Sequence, residues 1–141
     1  MTEFRRVLRP GGRLIAVLHE RTFLLNYPEP TGPQSRLEQV VAGFADLQLS
    51  CKLPIMLRQA GFTEIAVEIE LDPIYTAIGR IGHAQRRNAW EILQAGKPRI
   101  AETLGGMQEA EAFLHDLFAW LDDPNKCTYS QIWMVSGAVP N

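Results

Sequence analysis

The residue types able to do chemistry are few and scattered along the chain. His19 and Glu20 stand together just past an apolar run at residues 14–18. A histidine titrates near neutrality and can act as a general base toward a hydroxyl, with an adjacent carboxylate to orient it. A solvated strand end is the plainer meaning of the same pair. His83, Arg86 and Arg87 recur at helical spacing and could bind an acidic substrate, although a solvated helix face carries the same pattern. Trp90, Trp120 and Phe113 offer aromatic surface for a ligand, or for the packing between helices that large aromatics more often serve. With Tyr75, the substrate-lining candidates are His19, Glu20, Tyr75, His83, Trp90 and Phe113. His115 and Asp116 fall on the polar side of an amphipathic stretch and read as surface. The 3 histidines and 2 cysteines show no metal-ligand spacing, so no metal is expected. No Ser-His-Asp or Cys-His arrangement follows from the order, and no residue is assigned a catalytic role.

Composition narrows the classes. A chain of 141 residues suits one domain with a real core. A formal net charge of −2 leaves no cationic excess to offset phosphates, which argues against a nucleic-acid binder. No apolar run looks long enough for a membrane span. The charged first residues lack the apolar core of an export signal. Cys51 and Cys127 fit free thiols in a reducing compartment better than a disulfide framework. The expected address is the cytoplasm.

The elements that must position these side chains begin at residues 4–20, FRRVLRPGGRLIAVLHE. Phe4, Val7 and Leu8 lie at helical spacing, with Arg5 and Arg6 suited to a helix C-terminus. Pro10 stops that helix, and Gly11-Gly12 permits a tight turn. Leu14 to Leu18 then predict a strand buried on both faces, as in the centre of a parallel sheet. Residues 21–35, with Asn26, Pro28, Pro30, Gly32 and Pro33, predict a long loop. Residues 35–45 predict a helix with Leu37, Val40, Val41 and Phe44 as its stripe and Ser35/Glu38 as a capping box. Residues 50–60 predict another, with Pro54 near its first turn and Gly61 as its C-terminal cap. In residues 63–71, Ile65, Val67, Ile69 and Leu71 alternate with Glu64, Ala66, Glu68 and Glu70. That pattern predicts a strand with one buried face near a sheet edge. Residues 72–126 read as helical throughout, with Gly79 and Gly82 as weak points and residues 108–121 strongly amphipathic. Cys127 to Gly137 predict a last strand, apolar on both faces between Tyr129 and Val135 and so placed centrally.

This order resembles the C-terminal half of a class I S-adenosylmethionine-dependent methyltransferase. Arg6-Val7-Leu8-Arg9-Pro10-Gly11-Gly12-Arg13-Leu14 looks like the entry to that family's fifth strand. Leu57, Ala60-Gly61-Phe62 and the strand to Leu71 look like its sixth strand and preceding helix. Tyr129 to Gly137 looks like its seventh strand, antiparallel between the other two. The resemblance implies an α/β fold holding a partial Rossmann-like methyltransferase sheet. Residues 1–72 and 127–141 would form the core of a single domain, and residues 73–126 a helical cap over a small organic substrate. In that family the cofactor sits on the first four strands, which would lie before Met1. The expectation is therefore that the chain alone neither binds S-adenosylmethionine nor transfers a methyl group. Gly105-Gly106 ahead of a helix could present N–H groups to an anion, though such a pair is usually a plain turn. The alternative is a non-catalytic dimerising or ligand-binding module derived from that fold. The strand at residues 14–18 would have an unpartnered flank, which implies a homodimer or a partner chain supplying the missing strands.

Overall fold

The computed structural model describes residues 1–28 and 36–141, with backbone only at 21–25. The elements are α1 (Thr2–Val7), β1 (Arg13–Tyr27), α2 (Leu37–Phe44), α3 (Leu49–Gln59), β2 (Thr63–Leu71), β3 (Ala77–Ile78), α4 (His83–Ala95), α5 (Lys97–Leu104), α6 (Met107–Leu121) and β4 (Cys127–Ala138). They form two compact units. Unit 1 comprises Met1–Glu20, Leu47–Leu71 and Gln131–Asn141, and unit 2 comprises Arg21–Asp46 and Asp72–Ser130.

The sheet runs β1-β4-β2, with β3 also paired to β4. β4 takes the middle place that its apolar faces require. Both β2 and β3 pair with it antiparallel, through Val67↔Val135 and Ala77↔Thr128 among others. The start of β1 meets the end of β4, where Gly11 N–H donates to Val139 O at 3.0 Å and Val139 N–H to Gly12 O at 2.8 Å. A Rossmann-like sheet is built of parallel strands joined by crossover helices. The described pairings are antiparallel, so the expectation of a partial Rossmann-like methyltransferase sheet is corrected to an antiparallel sheet with helices. The antiparallel place of β4 between β1 and β2 is the one expected of the last strand.

In unit 1, α3 and the residues flanking α1, Met1 and Leu8, pack on one face of the sheet. The core is Leu53, Leu57, Phe62 and Val135, with Met1, Leu8, Leu14, Ala16, Leu18 and Ile65 packed against it. Arg5 Nη1 donates to Ala60 O at 3.1 Å, tying α1 to the end of α3. Gly61 closes α3 with φ 82°, a left-handed value open to glycine at little cost. Pro54 lies inside α3, beyond its first turn. A register shift between Thr63 and Ala66, with Glu64 at φ 48°, marks a bulge at the start of β2.

Unit 2 is helical with a short strand pair. α6 buries Ala110, Phe113, Leu114, Leu117, Phe118 and Leu121, the stripe its spacing predicts. α5 packs on α6 and α2 on α5, so Leu37, Val40, Ile81, Ala89 and Ile100 join the same cluster.

Three further expectations change. The first strand continues to Tyr27, where the sequence predicts a loop from residue 21; residues 29–35, including the Ser35 of the capping box, lie outside the described residues. Its apolar run is not buried on both faces, since Ile15 is 65% and Val17 58% exposed. The opening of the supposed helical stretch contains β3, because residues 77–78 find strand partners in Thr128 and Cys127. One stretch among the described residues, Leu37–Gln59, does reach the length and apolar composition of a membrane span, contrary to expectation. It folds as two helices, α2 and α3, interrupted at residues 45–48.

Candidate functional site

The sequence candidates fall into both units. His19 and Glu20 belong to β1 in unit 1. Adjacent strand residues point to opposite faces, and here His19 is exposed while Glu20 is buried. The Glu20 carboxylate accepts a hydrogen bond from Ser50 Oγ on α3. It therefore fastens the strand to the helix, on the face opposite His19.

The other four candidates lie in unit 2. Phe113 is buried in the core and is not among the lining residues of the two clefts beside α4. Tyr75 is buried too; its hydroxyl accepts from Asn88 Nδ2 at 2.6 Å. Burial raises the Tyr75 phenol above its usual range, and the Asn88 hydrogen bond offsets part of this. His83 and Trp90 fall on one line of α4 with Arg86 and Arg87, at the i, i+3, i+4, i+7 spacing of a single helix face. Together these four line a cleft of about 320 Å³. Arg86 and Trp90 also line a larger one of about 640 Å³ between α4 and α6, with Lys97, Glu111, His115, Phe118 and Asp122 among its walls. Trp90 meets Phe118 edge-on, with ring centroids 5.0 Å apart. Arg86 Nε donates to both Asp122 carboxylate oxygens, at 3.0 and 3.1 Å, while its guanidinium lies 5.2 Å from the Phe118 ring centroid. Lys97 Nζ donates to Glu111 Oε1 at 2.6 Å.

Sequence reasoning missed Lys97, Glu111, Phe118 and Asp122 as cleft residues. The α6 members carry the signal of helical spacing, but the Arg86–Asp122 pair joins residues far apart in sequence, and periodicity gives no hint of it. Gly105 and Gly106 are accounted for by the turn between α5 and α6. Both of their N–H groups donate to Ala101 O, at 3.0 and 2.9 Å, and neither is left to face an anion. Among the described residues no cluster of His, Cys, Asp and Glu could hold a metal. Cys51 and Cys127 are free thiols.

Unit 1 offers a different kind of site, the sheet face that α1 and α3 leave uncovered. Arg13 Nη1 donates to Ser136 Oγ at 3.3 Å, which puts the odd residues of β1 and the even residues of β4 on one side. Ile15 and Val17 project there from β1, and Ile132 and Met134 from β4. Register then adds β2, since Met134 pairs with Glu68 and Ile132 with Glu70. The centre of this face is apolar. Its β2 edge is acidic, and its β1 edge carries Arg13 and His19. Arg13 also reaches Glu64 Oε2 at 2.6 Å. Ile15 and Val17 are the solvent-facing aliphatic pair of this face, while Val67, Ile69 and Leu71 of β2 are exposed on the opposite face.

No protein-family model matches the chain, and no curated protein matches it.

Proposed function

We propose that the chain is a non-catalytic assembly module whose uncovered sheet face in unit 1 pairs with that of a second copy. The observation that carries this reading is the exposure of Ile15 and Val17, at 65% and 58%, side by side on a strand whose other face is packed. Fully burying an aliphatic side chain is worth roughly 1.5–3 kcal/mol, so water is a poor environment for this pair. Sheets commonly meet face to face about 10 Å apart through such residues.

The charge pattern supports a copy of the same chain as the occupant. A two-fold axis along β4 sets β1 of each copy over β2 of the other. His19 then lies opposite Glu70, and Arg13 nearest Glu64, of the other copy, and the contact is self-complementary, as a two-fold interface must be. Sedimentation equilibrium is the direct test. The expected species is a dimer of twice the 15.9 kDa chain mass, weakening with salt as exposed charge pairs do. A monomer at every concentration contradicts the proposal. On this reading the chain works without S-adenosylmethionine, and calorimetric titration with that cofactor gives no binding heat.

A further inference from the structure

We infer that the outer face of α4 in unit 2 binds a small aromatic anion, its ring against Trp90 and its negative group on Arg87 and His83. Trp90 is 43% exposed, yet its plane is held by edge-on packing against Phe118 at an interplanar angle of 73°. A large aromatic that is fixed and still open to solvent is a stacking surface without an occupant. The two clefts it shares with Arg86, of about 320 and 640 Å³, fall within the size range of small-molecule sites, about 300–1,000 Å³.

The cations decide what kind of ring. Arg86 is committed to Asp122, and Lys97 to Glu111. Arg87 has no carboxylate or hydrogen-bond partner among the described residues, and no acidic side chain lines the smaller cleft with it. A guanidinium free to bind, one helical turn from an exposed indole, complements a carboxylate, sulfonate or phosphate carried on an aromatic ring. Arg86, braced by Asp122 and lying over Phe118, forms the wall between the two clefts and keeps the ring beside Trp90. This inference rests on unit 2 alone and stands apart from the assembly proposal.

The test uses benzoate as the anionic probe and benzyl alcohol as its neutral counterpart, followed through the indole N–H signals of the 3 tryptophans by NMR. Trp90→Phe assigns the relevant signal. Benzoate is expected to move the Trp90 signal saturably. Benzyl alcohol is expected to move it far less, and Arg87→Gln to weaken benzoate about tenfold, the loss of one charge-assisted contact. Arg87 is exposed, so its variant should keep the parent unfolding midpoint, which is checked alongside. The inference is overturned by a static Trp90 signal at tens of millimolar benzoate. Equal response to the neutral probe, or an Arg87→Gln variant that binds benzoate as the parent does, overturns it as well.

Discussion

The two units solve the same burial problem to different degrees. In unit 2, helices α2, α5 and α6 enclose one another, and Phe113, Leu117, Leu121 and Ile100 lose nearly all contact with water. In unit 1, α3 covers only part of one side of a three-stranded layer, leaving Val67, Ile69 and Leu71 of β2 exposed there and Ile15 and Val17 of β1 exposed on the other. A helix needs only one apolar stripe covered, so a few helices can satisfy each other. A sheet has two faces, and a central strand with apolar residues on both needs two covering layers. Unit 1 supplies part of one. The difference teaches that unit 2 carries a self-sufficient core, whereas unit 1 presents a surface still to be filled.

Breaking each region should expose this contrast. The largest effect is expected from Phe113→Ala, which empties the centre of unit 2 and should cost about 3–5 kcal/mol by urea denaturation. An effect below about 1 kcal/mol would mean that the cluster can collapse around the gap.

Next comes Lys126, which is 3% exposed, with Nζ lacking a hydrogen-bond partner among the described residues and lying 4.7 Å from the Trp120 ring centroid. Burial pushes the Lys126 ammonium below its ordinary range, and neighbouring Asp123 offsets part of this. A lysine with a lowered folded-state value destabilises the fold most fully at pH below that value. The penalty lifts as pH rises through it toward the unfolded value of 10.5. Lys126→Met should therefore raise stability at neutral pH by roughly 1–2 kcal/mol, the scale of relieving a buried unpaired group. That advantage should shrink as the pH climbs. Denaturation curves at several pH values check both the size and the slope. A destabilised variant would show that the contact with Trp120 outweighs the burial.

Gly61→Ala tests unit 1 itself. It forces a side chain into φ 82°, at a cost of about 1–2 kcal/mol. A Cβ there would also come within 2.5 Å of Arg5 Nη1, at the flexible end of that side chain. Thermal unfolding measures it, and an unchanged midpoint would place the α3 turn outside the cooperative core. The smallest effect is expected from Glu3→Ala. The Arg6 guanidinium at 2.6 Å holds the Glu3 carboxyl below its usual range, but both side chains are well solvated. The unfolding midpoint should not move, because exposed ion pairs are screened and ordered at an entropic cost.

How much of this was legible in the sequence follows from the same physics. α6 was readable because its six buried residues repeat at helical spacing and nothing competes with that pattern. The central place of β4 was readable from its two apolar faces. β2 was readable as an edge strand, yet Val67, Ile69 and Leu71 remain largely exposed. Alternation tells which side of a strand is apolar, and not whether anything covers it. The same gap made Leu14 to Leu18 look buried on both faces and suggested a parallel sheet. β3 is only Ala77–Ile78, too short for any periodicity, and exists because Thr128 and Cys127 pair with it. The His83–Trp90 stripe of the cleft was visible as helical spacing. The ion pairs that commit Arg86 and Lys97 but leave Arg87 without a partner among the described residues join α4 to the end of α6 and α5 to α6, and only the fold reveals them.

The central claim is that the bare face of unit 1 is an interface between copies. It is tested most directly by comparing the parent chain with an Ile15→Lys/Val17→Lys double variant in sedimentation equilibrium. Both sites are solvent-facing, so the variant should keep its helical circular dichroism and unfolding midpoint. The account predicts a dimeric parent and a monomeric, folded variant. A parent that stays monomeric, or a variant that dimerises as tightly as the parent, contradicts it.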